Sequence, residues 1–405
     1  MTTPTVGPGP EAEGPQVRLL DTQWLWMAAA GLAIVPGLVL VAGGFDASDA
    51  VRAVLFGLAI VGAAFLLAWA AEVVQLDFSQ GLAIALLALI AVLPEYVVDA
   101  SFAWLAAEDP AYAGYAVANM TGANRLLIGL AWPMVLLIAF WRFRLRRIEL
   151  EPSHGLELVV LLGATLYAFT LPPKGTISLV DFVVLFALFA FYMWRLARLP
   201  VEAPHLVGPA RLIGSFRPVT RRLVTAVLAL GAAASVILVA KPFAKALVET
   251  GKGFGVDEFL LVQWLAPLAS EAPEFVVVAL FAYRGATTMA LATLISSKVN
   301  QWTLLVGMLP LVYSIARGQP DALPLDVRQA EEVLLTAMQS LFAVSLLLNL
   351  RISLLGAALL FSLFAVQMVA PETRSTITWV YLILTLGVVI FSRREVGKAF
   401  QWVRS

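Results

Sequence analysis

Two stretches decide the fold. One is Ala91-Val92-Leu93-Pro94-Glu95-Tyr96-Val97-Val98-Asp99, and the other, far downstream, is Ser270-Glu271-Ala272-Pro273-Glu274-Phe275-Val276-Val277-Val278. Each sets a proline and a carboxylate inside a long apolar run. Proline removes a backbone donor and clashes with the preceding helical turn. A carboxylate at bilayer depth costs about 3 kcal/mol and marks a functional site by default. One such combination is explained by packing alone; two, in the same order and setting, read as half-sites facing each other.

The surroundings are those of a polytopic membrane protein. Of 405 residues, 61% are hydrophobic and 13% charged, with a mean hydropathy of +0.89; soluble domains carry about 25% charged residues. A net charge of zero argues against a nucleic-acid partner. With no cysteine, disulfides and thiolate metal sites are excluded. His154 and His205 fall in polar loops, which argues against a buried zinc or haem site. What is left is the oxygen chemistry of carboxylates, amides and hydroxyls, which suits hard cations such as calcium. No catalytic group and no cofactor is expected; the partners are inorganic cations and the lipid bilayer.

Residues 1–20, rich in Pro, Gly and Glu, read as a disordered cytoplasmic tail. Apolar spans able to cross about 30 Å of hydrocarbon follow near 22–43, 51–74, 80–105, 111–140, 155–171 and 176–197. A Pro/Arg-rich cytoplasmic linker, 198–221, precedes a second set near 222–247, 256–283, 286–316, 330–349, 351–371 and 376–393. The fold class is therefore all-α, with about twelve transmembrane helices. With the N-terminus cytoplasmic, 17 of the 27 Lys/Arg fall on the cytoplasmic side and 8 on the other, while Arg125 and Lys298 lie inside spans. Basic loops stay inside, so both termini are expected to be cytoplasmic and the protein to sit in the cell membrane.

The Pro-Glu motifs fall in the third and eighth spans. An odd offset reverses the direction of entry, so the chain reads as an inverted repeat of five helices (5+5): 51–197 and 222–371. An extra helix precedes it (21–50), and an extra helix and tail follow it (372–405). Inverted repeats with helices broken at the midplane are a common architecture of secondary transporters. Pro94-Glu95 aligns with Pro273-Glu274 at an offset of 179. Asn124 through Pro133 aligns with Gln301 through Pro310 at 177, the difference fitting in the turns around Asp109 and Gly285. Each Pro-Glu helix is followed by a polar one, with Asn119, Thr121 and Asn124 in the first copy and Ser296, Ser297, Asn300 and Gln301 in the second.

In these residues the chain resembles the calcium/cation antiporter superfamily, the sodium/calcium exchanger-like membrane proteins. Their two inverted α-repeats carry a Gly-Thr-Ser-x-Pro-Glu helix and then a Gly-Asn-x-x-Gly-Ser-Asn-type helix. The resemblance implies that Glu95 and Glu274 match the central calcium-binding glutamates, Ser270 the family's threonine and Ser297 its following-helix serine. Asn124 and Gln301 fall at its carboxamide or carboxylate positions, with Asn119 taking the place of Asn124 if the gap is shifted. It also implies alternating access, with helices 2 and 7 sliding past helices 3, 4, 8 and 9. The departures are Ala91 and Val92 for Thr and Ser, Glu271 for Ser, Met120 for Ser, Lys298 for Asn, and a neutral Gln301. Several hydroxyls that hold sodium in the family are thus missing.

The expected function is a secondary antiporter exchanging Ca2+, or a similar divalent cation, for Na+ or H+. Its metal ligands are Glu95, Glu274, Asn124, Gln301, Ser270, Ser297 and Glu271. Asp99 lies one helical turn after Glu95. Two ion pairs are expected, Lys298 with Glu271 and Arg125 with Asp99, leaving the central glutamates for the cation. A fixed ammonium would then replace one transported sodium ion, or Glu271 would carry a proton; the alternative is that both basic residues are purely structural. A monovalent cation/proton exchanger and a non-transporting membrane scaffold are the competing readings.

Overall fold

The structure, a computed structural model, describes residues 16–77, 92–198 and 206–391. The expectations for residues 1–15, for Ala91 and the start of the third span, for His205 and for the basic tail after Phe391 lie outside these residues. The long helices are α1 Gln16–Val41, α2 Asp49–Val74, α3 Leu93–Leu105, α4 Ala111–Phe143, α5 Gly155–Ala168 and α6 Leu179–Leu196. The second set is α7 Pro218–Phe254, α8 Glu258–Tyr283, α9 Thr287–Arg317, α10 Val327–Leu346, α11 Leu354–Val369 and α12 Arg374–Phe391. Helix α1 begins at Gln16, inside the stretch read from sequence as tail.

Local chemistry sets these boundaries. Ser178 and Asp181 form a capping box at the start of α6, as do Asp326 and Gln329 for α10. Asp257 caps α8, and left-handed Gly255 and Gly318 end α7 and α9. Among the described residues, nine helices are long and apolar enough to cross a membrane. Helix α11 is shorter, α10 carries Arg328, Glu331 and Glu332, and α3 is described only from Leu93. In their most apolar windows α1 and α6 bury 17% of their residues and α12 22%, against 67% for α9. The first three are therefore the lipid-facing periphery, and α9 runs through the centre.

Two short antiparallel ladders expose the internal symmetry. Strand β1 (Arg147–Glu149) pairs with β4 (Arg351–Ser353), Arg147 opposite Ser353; β2 (Thr176–Ile177) pairs with β3 (Leu323–Pro324), Thr176 opposite Pro324. Arg147 and Pro324 are 177 positions apart, as are Thr176 and Ser353. Each ladder is thus the image of the other under the repeat, and the two lie at opposite ends of the helices. Helices α2–α6 and α7–α11 follow each other in the same order with opposite direction, leaving α1 and α12 outside.

The two Pro-Glu motifs do not both break a helix. Pro94 occupies the first turn of α3, where its missing N–H costs nothing. Pro267 and Pro273 both sit inside α8, which runs unbroken from Glu258 to Tyr283, correcting the expectation of two broken helices. The carbonyl that Pro267 leaves without a helical donor is that of Gln263, four residues back. It packs against Gly122 of α4, where a Cβ would stand 1.8 Å from it. A glycine at 122 lets α4 and α8 touch backbone to backbone. The Ser270 hydroxyl donates to the carbonyls of Ala266 and Pro267 at 3.3 Å.

Candidate cation-binding site

The site forms where α3 and α8 meet the polar turns of α4 and α9. Glu95, Asp99 and Glu271 are buried, at 5%, 0% and 3% exposure, and Glu274 is half-buried. Glu95, Glu271 and Glu274 lie within electrostatic reach of one another. Gln301 donates Nε2–H to Glu271 Oε1 at 2.7 Å, and Ser297 faces Glu274. Among the described residues, four acceptors here receive no hydrogen bond: Glu95 Oε1, Glu271 Oε2, Glu274 Oε1 and Gln301 Oε1. Among the described residues no three acidic, His or Cys side chains close into a metal cage. The glutamates share a neighbourhood, and amide, hydroxyl and main-chain oxygens must contribute to any cation shell.

Asn124 stands differently from its expected role. Its Nδ2–H donates to the Met120 carbonyl at 2.8 Å, and its Oδ1 accepts from Lys298 Nζ at 2.6 Å. Lys298 also reaches the Asn124 carbonyl at 3.3 Å and lies 4.4 Å from the centre of the Trp302 ring. Asp99 accepts from Asn119 Nδ2 at 2.6 Å, while Asp99 Oδ2 and Asn119 Oδ1 are without donors among the described residues. Tyr96 donates to Asn300 Oδ1 at 2.5 Å, tying α3 to α9.

Neither expected ion pair forms. Lys298 makes no ion pair among the described residues; neutral oxygens and an aromatic face hold it, with Glu271 and Glu95 acting on it through space. Arg125 faces away from Asp99 and meets Glu332 at 2.5 Å, both side chains fully buried. Glu332 also accepts from Gln263 at 3.1 Å and pairs with Arg374 at 2.7 Å, and Arg125 donates to Gln367 Oε1 at 3.0 Å. The reason is geometric. Asp99 is already bonded to Asn119 on the adjoining helix, whereas α10 brings a carboxylate to the other side of α4. Sequence reading missed Glu332; the signal available was a carboxylate in a helix otherwise patterned for burial.

Both polar helices change pitch at the site. A π-turn spans Leu127–Ala131 in α4, and another spans Gln301–Leu305 in α9, each ahead of the aligned prolines Pro133 and Pro310. Single π-turns concentrate at functional sites because they shift the ladder and re-aim side chains.

The fold has counterparts among known proteins. The family model described as sodium/calcium exchanger protein matches residues 49–197 and 224–371, spanning both Pro-Glu helices and both polar helices. A crystal structure of the H+/Ca2+ exchanger CAX superposes with a TM-score of 0.91 at 43% identity, over 95% of this chain and 98% of that one. The Ca2+/H+ antiporter protein YfkE gives 0.60 at 13% identity, over 91% and 99% of the two chains. The sodium-calcium exchanger NCX_Mj gives 0.53 at 17%, over 80% and 98%. These last two likenesses concern the fold alone. No curated protein sequence matches the chain. With the model matched across both repeats, the chain belongs to the sodium/calcium exchanger family.

Proposed function

We propose that the chain exchanges Ca2+ for H+ by alternating access. Glu95 and Glu274 hold the calcium ion, with Glu271, Gln301, Ser270 and Ser297 completing its oxygen shell, and Asn124 acts through Lys298 rather than on the ion. The observation that carries this reading is the set of donor-free oxygens on Glu95, Glu271, Glu274 and Gln301 at one place in the helix bundle. Calcium takes six to eight oxygens at about 2.3–2.6 Å. Two carboxylates neutralise one divalent charge, and the third is offset by the Lys298 ammonium within its reach.

When calcium leaves, bare carboxylates this close in a low-dielectric setting are too costly to reorient, so each takes another cation or a proton. Protons need no further ligands. Sodium needs oxygens that Ala91, Val92 and Met120 do not offer. The 43% identity to an H+/Ca2+ exchanger supports the proton over sodium as counter-ion. In this reading the repeats are 51–197 and 222–371 and there are twelve crossings. Helices α2 and α7 move against α3, α4, α8 and α9. The termini are cytoplasmic and the membrane is the cell membrane, for which the Lys/Arg asymmetry is the support.

The test is calcium uptake into proteoliposomes under imposed gradients. A pH gradient should drive uptake, and Glu95→Gln and Glu274→Gln should each abolish it while leaving the protein folded. Uptake of Na+ or K+ against protons with indifference to calcium would replace this reading with monovalent exchange. No cation flux at all from folded protein would leave a scaffold.

A further inference from the structure

Lys298 is a charge at the centre of a membrane protein with no carboxylate bonded to it among the described residues. Its exposure is 0%, and an ammonium there is expensive unless something repays its lost hydration. The groups that do so are the Asn124 amide oxygen at 2.6 Å, the Asn124 main-chain oxygen at 3.3 Å and the face of Trp302 at 4.4 Å. The Asn124 amide cannot turn away, because its NH2 is held on the Met120 carbonyl. Glu271 and Glu95 act on the ammonium from a distance, and Arg125 repels it from the other side. A side-chain oxygen, a main-chain oxygen and an aromatic face, with carboxylates nearby, make up a binding set for a monovalent cation.

We propose that Lys298 is a built-in monovalent cation. Its ammonium fills the position beside Asn124 and Trp302 that a sodium ion would otherwise occupy, and so determines that the counter-ion is not sodium. The proposal rests on the reading of the chain as a cation exchanger and adds to it the residue that sets counter-ion specificity. Removing the ammonium leaves Asn124 Oδ1 and the Asn124 carbonyl without their cation, with Glu271 and Glu95 still acting on that position through space, so the same position should then accept sodium. Arginine has no role of this kind: its planar fork spreads the charge over a larger group.

The experiment measures radioactive sodium binding to the purified, detergent-solubilised full chain, alongside calcium uptake into proteoliposomes with sodium or choline inside. The wild type should bind no sodium, and its calcium uptake should be the same with either internal cation. Lys298→Ala, and Lys298→Gln as the variant closer in length, should bind sodium in a way that calcium displaces. Their calcium uptake should rise about fivefold or more with internal sodium, the low end of a coupling of 1–3 kcal/mol. Folded variants that bind no sodium and keep sodium-indifferent uptake would overturn the proposal, and so would sodium-driven calcium uptake by the wild type, with Lys298 in place. Sodium binding by the variants is read without transport. A wild type that moves no calcium therefore defeats the exchanger reading alone, while binding still decides the role of Lys298.

Discussion

The two repeats use equivalent carboxamides in opposite ways. Asn124 in α4 offers its oxygen to an ammonium, whereas Gln301, 177 positions later in α9, offers its NH2 to a carboxylate. The neighbouring positions differ further: Arg125 is matched by Trp302, and Val92 by Glu271. The two ladders keep the symmetry to the level of single pairs; the Pro-Glu helices and the side chains around them do not. A two-fold frame needs only matching helix lengths, turns and close approaches. Charge must balance over the whole site, so an acid gained in one repeat can be offset by a base in either.

The strongest break in the symmetry is the Arg125–Glu332 pair, which has no image in the other half. Removing Glu332 leaves Arg125 buried without a counter-charge, at a cost of about 3–5 kcal/mol, whereas removing Arg125 leaves Glu332 paired with Arg374. Glu332→Leu should therefore sharply lower the yield of monodisperse protein and its thermal midpoint in detergent, and Arg125→Leu should lower both less. The double variant Arg125→Met with Glu332→Leu should recover most of that loss, since apolar replacement of a whole buried pair is often neutral. Trp302→Phe, at the matching place in the second repeat, should be mild. A double variant as unstable as the singles would mean that the polar network itself, with Gln263, Gln367 and Arg374, is required there.

Much of this was legible in the sequence because it rests on period and punctuation. The spans, the reversed order of the Pro-Glu helices and the alignment of Asn124–Pro133 with Gln301–Pro310 follow from hydrophobic run lengths and proline spacing. The partners of Lys298 and Arg125 were not legible. Each has several carboxylates and amides within one or two turns on neighbouring helices, and helix rotation, which composition does not encode, selects among them. The π-turns at Leu127–Ala131 and Gln301–Leu305 supply part of that rotation and have no residue signature. Nor does sequence reveal that α8 runs straight through Pro267 and Pro273. There Gly122 of the neighbouring helix admits the carbonyl of Gln263 that Pro267 frees.

Swapping the roles of the two carboxamides sharpens the comparison next. Gln301→Leu removes the NH2 bonded to Glu271 and a donor-free oxygen of the candidate shell, so apparent calcium affinity in transport assays should fall about tenfold, as for one hydrogen bond to a charged group. Asn124→Leu leaves that shell intact and strips the ammonium of its anchor. Calcium affinity should then change much less, and the variant should be less stable than wild type. Equal losses of affinity in the two variants would mean that both carboxamides ligate the ion, and the repeats would be functionally symmetric after all.

The smallest effect concerns how the first helices of the repeats are fastened. Asp77, just after α2, accepts from Arg221 at 2.9 and 2.7 Å and from Arg222 at 2.9 Å, both at the start of α7. The two guanidinium groups hold its carboxyl down to about 2, from an ordinary 3.8. Midway along α7, Lys241 meets Glu108 of the turn after α3 at 2.7 Å, but both side chains are well exposed, at 41% and 51%, where such pairs contribute little. Among the described residues, the strong ion pairing of α7 with its neighbours therefore sits at its arginine-rich end. A carboxyl whose folded value is depressed contributes stability above its unfolded value and loses it as pH falls through the folded one. Asp77→Asn should thus lower the thermal midpoint by about 2–4 °C equally at pH 7 and pH 5, with the difference from wild type shrinking only as pH drops below 3.8 towards about 2. Glu108→Gln should produce no measurable shift at any pH. If the two substitutions act alike, Asp77 fastens α2 to α7 no more firmly than the exposed Lys241–Glu108 pair fastens α7 to the turn after α3.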